Sequence, residues 1–236
     1  GKVRTYKLYD DPEDESVYNF KKVALTDWIN LCPSEKFREQ NTLTSCSGYL
    51  IAEDILVTAG HCAIANTDCL TSYWIFDYVD GTERIKKENV FKCKQILEQE
   101  LITKWFKLKD YAIIQLDRKV QSFRKPLKVR TEGRVKLRTE LAIIGHPMGI
   151  PMKIADGAKV KPLNIVEALT PIRTLIRKKY YFIANLDSFA GNSGSPVINI
   201  YSGEVEGHLI QGARDFKENK DKSCLLTGQR SNSSLF

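Results

Sequence analysis

Three side chains that could act together stand along this chain in the order histidine, aspartate and serine. His61 lies in the string TAGHC (58–62), Ser193 lies in GNSGSP (191–196), and Asp110 stands between them. A serine hydroxyl is a poor nucleophile at neutral pH unless a neighbouring base takes its proton. An imidazole can be that base, and a carboxylate can hold its ring in the required tautomer. The three residues therefore predict nucleophilic catalysis by Ser193, with His61 as base and Asp110 as its orienting partner.

Ser193 has the small neighbours that a nucleophile in a sharp turn requires. Gly191 and Gly194 lie close to it and can adopt backbone conformations that are strained for other residues. Such a turn lets main-chain N–H groups converge on the negative oxygen of a tetrahedral intermediate, in an oxyanion hole. We expect the N–H groups of Gly191 and Ser193 to form it. A plain polar loop is the other interpretation, but the apolar segment that follows directly disfavours it.

His61 closely follows one apolar segment, and Asp110 directly precedes another. A carboxylate at the start of a buried strand needs a hydrogen-bond partner, and an imidazole N–H can provide it. Asp117 lies at the far end of the same segment, but its two basic neighbours indicate a solvated turn. The two remaining histidines, His146 and His208, are expected to be structural.

The elements that must position these groups are short strands. Eight β-rich segments are separated by Gly, Pro, Asn and Asp turn signals. They are Tyr49–Ala52, Ile55–Thr58, Tyr73–Phe76, Tyr111–Leu116, Leu141–Ile144, Tyr181–Ala184, Pro196–Ile200 and Gly207–Ile210. The stretches Glu35–Gln40 and Val90–Trp105 are the candidates for a helical turn or two. Many short strands with few helices predict an all-β sandwich or barrels.

The composition is that of one folded domain with a basic segment near its middle. The chain has 236 residues, 42% hydrophobic and 28% charged, with a net charge of +7, which is ordinary for an all-β domain. Between Arg118 and Arg138, nine Lys or Arg residues face one acidic residue, Glu132. A solvated linker between two β units is favoured over a polyanion-binding surface. Aromatic residues are not interleaved in this segment in the way that single-strand nucleic-acid binding requires, and no apolar run reaches the length of a membrane span.

The six cysteines indicate an oxidising compartment. They are Cys32, Cys46, Cys62, Cys69, Cys93 and Cys224. None stands in a C-x-x-C string, so a zinc site is not expected. An even number of scattered cysteines is typical of disulfides, although free buried thiols are the alternative and the sequence leaves the pairing open. We expect a secreted or periplasmic protein from which a leader has been removed.

Three strings of this chain resemble motifs of the trypsin/chymotrypsin-like serine proteases. TAGHC is similar to the family's T-A-A/G-H-C, DYAIIQL (110–116) to its aspartate strand, and GNSGSP to its G-D/N-S-G-G/S-P. The resemblance runs from about Cys46 to Gly212. It implies two six-stranded antiparallel barrels, at about residues 20–120 and 136–236, joined by the basic linker at about 118–135. It also implies an active site in the cleft between them and hydrolysis of protein or peptide substrates by a monomer, without a metal or organic cofactor.

Details of the motifs resemble the bacterial branch that includes glutamyl endopeptidases. Asn192 and Ser195 replace the more usual aspartate and glycine, and GHP (145–147) resembles that branch's turn. In the animal enzymes the aspartate pairs with a newly formed terminal ammonium. Asn192 carries no charge for such a pair, so we expect activity not to depend on one. The resemblance also implies a disulfide Cys46–Cys62 beside the histidine, whereas Cys69–Cys93 and Cys32–Cys224 are assigned by proximity and elimination.

The resemblance leaves substrate specificity open between two charges. Asp187, followed by Ser188, stands where the family has the floor of its primary specificity pocket, and a carboxylate there would attract Lys or Arg. His208 or Arg214 would instead favour Glu or Asp, as in glutamyl endopeptidases. A gap-free alignment puts Leu209 at the position of their histidine, and neighbouring strand residues point to opposite faces. A basic residue before the scissile bond (P1) is therefore narrowly favoured, with a turn role for Asp187 as the alternative.

Two further positions complete the expected substrate pocket. Ile210 stands roughly where the family has a serine that hydrogen-bonds the triad aspartate, so Asp110 needs a replacement donor. Gly212 follows on the same segment. Two rivals to the protease remain from other classes. One is a non-catalytic family member that serves as a binding module, and the other is a basic protein that binds polyanions.

Overall fold

Almost all regular structure in the computed structural model is β, and it forms two six-stranded antiparallel sheets. The structure describes residues 1–104, 107–162, 181–228 and 234–235. The first sheet contains, in spatial order, β1 (Lys2–Arg4), β6 (Ser72–Ile75), β8 (Val90–Lys104), β9 (Lys107–Leu116), β5 (Ile55–Thr58) and β4 (Tyr49–Leu50). The second contains β14 (Val205–His208), β13 (Pro196–Asn199), β10 (Glu140–Gly145), β11 (Lys153–Lys161), β12 (Ile183–Ala184) and β17 (Ser234–Leu235).

Smaller elements complete the described part of the chain. A three-stranded sheet consists of β2 (Leu8–Asp10), β3 (Val17–Phe20) and β7 (Ile85–Lys86). A hairpin consists of β15 (Phe216–Glu218) and β16 (Leu225–Thr227). The helical segments are α1 (Asn66–Leu70) and 3-10 turns at Thr5–Lys7, Leu25–Asp27, Gly60–Cys62, Lys87–Asn89 and Pro147–Gly149. None of the described helices is long and apolar enough to cross a membrane.

Each six-stranded sheet curls around its own apolar core. In the first sheet, Leu56 pairs with Ile114 across β5 and β9, and both side chains are buried with Trp74 and Phe91. In the second, β10 alternates half-buried and buried residues along its length, which is the period of two expected for a strand with one face inward. Burial of a large apolar side chain contributes about 2 kcal/mol, so these two cores hold the cleft walls in place.

The predicted all-β class with two six-stranded units is confirmed, and all eight predicted segments overlap strands. The suggestion of a helical turn within Val90–Trp105 is wrong, because β8 runs through Val90–Lys104. Two register shifts against β9, at Cys93/Gln95 and Ile96/Glu98, explain the error. Each bulge adds a residue and breaks the alternation by which a strand is recognised in a sequence. Glu35–Gln40 forms turns rather than helix.

Two pairings bear on how far each unit extends along the chain. The first unit begins well before residue 20, because Lys2–Arg4 pairs with Ser72–Trp74 at the edge of its sheet. The linker at 118–135 is irregular, and Val129 forms an isolated bridge with Val205 of β14. Several basic linker side chains are paired with acids: Lys128 Nζ lies 2.8 Å from Glu204, and Arg130 binds Glu206. These pairs favour a linker packed on the second unit over an open polyanion-binding surface.

Three disulfides cross-link the chain. They join Cys46 to Cys62, Cys69 to Cys93 and Cys32 to Cys224. The first two lie within the first unit. The third ties the segment around Cys32 to the turn that precedes β16, so the segment at 31–37 is held beside the second unit.

Candidate active site

His61 and Asp110 form a direct pair beside two inner strands of the first sheet, β5 and β9. Asp110 Oδ2 lies 2.7 Å from His61 Nδ1, and Asp110 Oδ1 accepts the His61 main-chain N–H at 2.9 Å. With both carboxylate oxygens engaged, Nδ1 is the donor and Nε2 is left as the basic nitrogen. This is the arrangement in which an imidazole can take a proton from a nucleophile.

Both partners are placed by strands of one sheet. His61 lies in the 3-10 turn Gly60–Cys62 that follows β5, and Asp110 lies on β9, which pairs with β5 from Gln115 back to Ala112. The disulfide Cys46–Cys62 fixes the residue next to His61. Burial acts to raise the pKa of Asp110, but the two hydrogen bonds from His61 outweigh it and hold that pKa below its ordinary value. Asp110 is therefore an anion at neutral pH.

Ser193 lies in a tight loop that depends on main-chain contacts. The N–H of Ser47 donates to Ser193 O at 2.8 Å, and Gly194 N–H donates to Leu209 O at 2.7 Å. Gly191 and Gly194 have φ angles of +87° and +83°, in the left-handed region that favours glycine. A Cβ on Gly194 would lie 2.3 Å from Ser47 O. The glycines of GNSGSP are therefore a steric requirement of this loop.

The loop lies beside the His61 turn. Cys62 Sγ is 3.8 Å from Ser193 O, which brings the candidate nucleophile next to the residue that follows His61. Ser193 is half-buried and His61 is about one-third exposed, so both side chains are partly accessible to solvent. The three residues predicted from the sequence are thus gathered in one region.

Among the described residues, the candidate oxyanion donors have no competing acceptor. Ala190 O accepts the Met148 N–H at 2.5 Å, and in a trans peptide the N–H of Gly191 then points the opposite way. Among the described residues, no acceptor is bonded to the N–H of Gly191 or of Ser193. Both donors are thus available to bind a negatively charged oxygen.

Ser47 is a site residue that the sequence reasoning missed. Its side chain is 1% exposed; its hydroxyl donates to Gly191 O at 2.9 Å and accepts the His146 N–H at 3.0 Å. Together with its main-chain bond to Ser193, it connects the first unit to the whole nucleophile loop. The only signal in the sequence was its position directly after Cys46, because nothing local distinguishes it from other serines.

A cavity of about 850 Å³ opens next to this loop. Its walls include Asn192, which adjoins the candidate nucleophile, and the exposed carboxylate of Asp187. The aromatic side chains of Phe189 and Phe216 lie 5.9 Å apart and line it as well. Glu35, Lys36 and Lys153 line the cavity too, so it holds charged groups that could bind either a basic or an acidic side chain.

Of the seven residues expected to form the substrate pocket, Asp187 alone lines this cavity. Ser188 is fully buried, and Leu209 is 3% exposed within the core of the second sheet. Ile210 packs against the Cys46–Cys62 disulfide instead. His208 Nε2 lies 2.8 Å from the main-chain oxygen of Asp110.

The last two expected pocket residues, Gly212 and Arg214, are exposed and lie off the cavity wall. Asn192 is buried, and its Oδ1 is 3.5 Å from Ser195 Oγ. The amino group of Gly1 donates to Ile75 O at 2.7 Å. Asn192 and the amino group of Gly1 thus have separate partners.

Cys46, His61 and Cys62 are the one group of described residues close enough to share a metal ion. Both sulfurs are joined in a disulfide, so neither can act as a thiolate ligand. His61 Nδ1 is also occupied by Asp110. The chemistry of these groups does not fit a metal site.

The chain belongs to the trypsin-like peptidase family. Residues 46–207 match the family described as "Trypsin-like peptidase domain", a segment that contains His61, Asp110 and Ser193. No curated protein sequence matches the chain. The family membership agrees with the two-sheet architecture and with the protease resemblance of the three motifs.

Solved structures of proteases are similar to this chain. Kallikrein-related peptidase 10 aligns with a TM-score of 0.53 at 13% identity, over 81% of this chain and 82% of that protein, and its complex with Zn²⁺ aligns with a TM-score of 0.52 at 13% identity over the same shares. The active form of Rv3671c protease from M. tuberculosis aligns with a TM-score of 0.47 at 15% identity, over 79% and 69%. The kallikrein alignments show the double-barrel fold, and at these identities they show the fold alone.

Proposed function

We propose that this chain is a serine endopeptidase that uses His61, Asp110 and Ser193. The observation that carries the proposal is the double contact between His61 and Asp110, at 2.7 and 2.9 Å. This contact fixes the tautomer of the imidazole and leaves Nε2 to act as the base. The membership of the trypsin-like peptidase family supports the same chemistry.

The reaction proceeds through an acyl-enzyme. Ser193 Oγ attacks the scissile carbonyl carbon while His61 takes its proton, and the N–H groups of Gly191 and Ser193 bind the negative oxygen. His61 returns the proton to the leaving amine, and the Asp110 carboxylate stabilises the imidazolium meanwhile. A water molecule then attacks the ester carbonyl, with His61 again as the base, and releases Ser193.

A fluorophosphonate probe tests the nucleophile, because it reacts with activated serines. We expect the wild-type protein to be labelled and the Ser193→Ala variant to remain unlabelled. Ser202→Ala is the matched control, because Ser202 is exposed in a turn of the second unit and should leave labelling unchanged. An unlabelled, folded wild-type protein would contradict the proposal and favour the non-catalytic binding member of the family.

We assign a preference for Lys or Arg at P1, which rests on Asp187. Its exposed carboxylate lines the cavity beside Asn192, where an ammonium or guanidinium could form a charge-assisted hydrogen bond. Phe189 and Phe216 would pack along the aliphatic part of such a side chain. His208 and Arg214, which supported an acidic P1 residue, do not line this cavity.

Digestion of a peptide library with every residue at P1 tests the preference. We expect cleavage after Lys and Arg, and Asp187→Ser should reduce kcat/KM for these peptides by about 10- to 100-fold. Asp156→Asn is the control, since Asp156 is exposed on β11 and lies off the cavity wall. Equal losses in both variants, or cleavage after acidic residues in the wild type, would contradict the assignment.

A glutamyl-endopeptidase-like specificity is the second candidate, and one observation favours it. Lys36 and Lys153 line the same cavity as Asp187 and could bind a P1 carboxylate. The Lys153 ammonium also lies 4.6 Å from the centre of the Phe37 ring, so it already has a partner. The library digest separates the two specificities, because only this candidate predicts cleavage after Glu or Asp.

The three disulfides support an oxidising compartment, and we assign the protein to the extracellular space or the periplasm. Thiol titration of protein isolated under thiol-blocking conditions from its native source tests this. We expect no free thiols; a high thiol content would point to a reducing compartment.

A further inference from the structure

One hydrogen bond links the candidate triad to the opposite sheet. His208 lies at the end of β14 in the second sheet, and its Nε2 is 2.8 Å from the main-chain oxygen of Asp110 on β9. A carbonyl oxygen only accepts hydrogen bonds, so Nε2 must carry the proton and donate. The contact therefore fixes the tautomer of His208 and joins the two walls of the cleft at the aspartate.

Strand pairing leaves a place for this donor. β5 pairs with β9 as far as Ala112 and does not reach Asp110. Ile210, where the resembling enzymes have a serine that hydrogen-bonds the aspartate, offers only an apolar side chain. It packs against the disulfide beside His61. His208 thus supplies the inter-sheet donor, although it binds the main chain of Asp110 and not its carboxylate.

Burial lowers the pKa of His208 below its ordinary value, while the hydrogen bond to Asp110 acts in the other direction. Asp110 and His61 are the titratable groups that act on it. A neutral imidazole at this place donates one hydrogen bond without adding a charge beside the His61–Asp110 pair. It can therefore hold the aspartate without competing electrostatically with His61.

We propose that His208 is a positioning residue for the triad, which holds the Asp110 main chain so that its carboxylate stays aligned with His61. This inference rests on the proposed function for its kinetic consequence. Its structural content, the alignment of the His61–Asp110 hydrogen bond by His208, does not depend on turnover.

The matched variants His208→Gln and His208→Met test the role of the donor. Glutamine places an N–H near the position of Nε2, and methionine has a similar shape without the donor. We expect His208→Met to lower kcat about tenfold with KM little changed, the loss expected for one hydrogen bond. His208→Gln should recover kcat to within about threefold of the wild type. Equal kcat losses in the two folded variants, or none in either, would overturn the inference.

Proton NMR gives a readout without turnover. The deshielded Nδ1 proton of His61 reports its hydrogen bond to Asp110, and we expect its signal to shift or broaden in His208→Met and to persist in His208→Gln. If the wild-type protein neither cleaves peptides nor reacts with fluorophosphonate, the proposed function is contradicted. The signal of the His61 Nδ1 proton still tests the positioning role of His208 in that case. If the variants do not fold, nitrogen NMR of the wild-type protein can determine the tautomer of His208 instead. The Nε2–H tautomer supports the inference, and the Nδ1–H tautomer overturns it.

Discussion

The two halves of the candidate site are built in different ways. On the first sheet, the side chains of His61 and Asp110 bind each other directly, next to the Cys46–Cys62 disulfide. On the second unit, Ser193 is positioned by main-chain hydrogen bonds and by glycines with positive φ. In one half the chemistry depends on which side chains are present. In the other it depends on where side chains are excluded.

The largest expected effect is the loss of kcat when a residue of the candidate triad is replaced in either half of the site. Ser193→Ala and His61→Ala should each lower kcat by about 10⁶-fold, and the double variant should be no worse, because the two groups act in one step. Asp110→Asn should cost about 10⁴-fold, because it disturbs the tautomer of His61. Kinetics on a peptide cleaved by the wild type would measure this. Additive losses in the double variant would show that the halves act separately.

The second prediction addresses the exclusion of side chains from the nucleophile loop. In Gly194→Ala, the new Cβ would lie 2.3 Å from both Ser47 O and Thr58 Oγ1, so the loop must move. A displacement of about 1 Å at the reacting atoms can cost about 100-fold in kcat. Gly81→Ala is the control, with a similar φ of +76° and open space around it. It should cost about 1 kcal/mol of stability from strain alone and leave kcat unchanged.

The third prediction is that groups in the two halves affect the stability of the fold in different pH ranges. On the nucleophile side, burial holds the pKa of His146 well below 6.5, and the Gly1 amino group and Lys153 act in the same direction. The folded state therefore keeps His146 neutral while the unfolded chain binds a proton below about pH 6.5. Stability is fully present above that pH and falls as the pH drops below it. His208, whose pKa is also lowered, and the Gly1 amino group, whose pKa burial lowers to about 5, add to the loss in this window.

The Asp110 side responds at lower pH. Its lowered pKa stabilises the fold above the ordinary value of 3.8, and this contribution is lost as the pH falls through the folded-state pKa. Denaturant unfolding between pH 7 and 5 should show a loss of about 2 kcal/mol or less from His146. His146→Asn, which keeps a donor near Nδ1 for Ile150 O, should flatten this slope. An unchanged slope in that variant would contradict the assignment.

The smallest expected effect concerns the connection between the halves. Ser47→Ala removes the hydroxyl that binds Gly191 O and leaves the His146 N–H without its acceptor. We expect a decrease in kcat of about tenfold, as for a lost buried hydrogen bond. Ser45→Ala is the control, since Ser45 is exposed and its hydroxyl lies 3.5 Å from Lys2 O. Equal kcat values in the two variants would contradict the role of the Ser47 hydroxyl in supporting the nucleophile loop.

Much of the fold followed from local patterns. Segments such as Ile55–Thr58 and Leu141–Ile144 combine β-branched and large apolar residues with clear turn signals, and both are strands. β8 could not be read in this way, because its two bulges change which face each residue occupies. The pairing of Lys2–Arg4 with β6 depends on residues far apart in the sequence, which no local pattern specifies.

The predicted substrate pocket shows the same limit. Leu209 and Ser188 stand at family positions that suggested contact with substrate, yet both are buried. Both residues lie in irregular segments that adjoin strands of the second sheet. Whether their side chains face a substrate or the core depends on how these segments pack, and a single sequence carries little information about that packing.

The sequence by itself indicated the candidate reactive groups of this protein: a histidine, an aspartate and a serine, each with neighbours suited to a strand end or a tight turn. These features are local, because strand propensity, turn chemistry and nucleophile chemistry depend on residue types a few positions apart. The tertiary structure alone decided which distant groups support them. Ser47 bridges to Ser193, and His208 reaches Asp110 across 98 positions in the chain, because two separate sheets meet at the cleft.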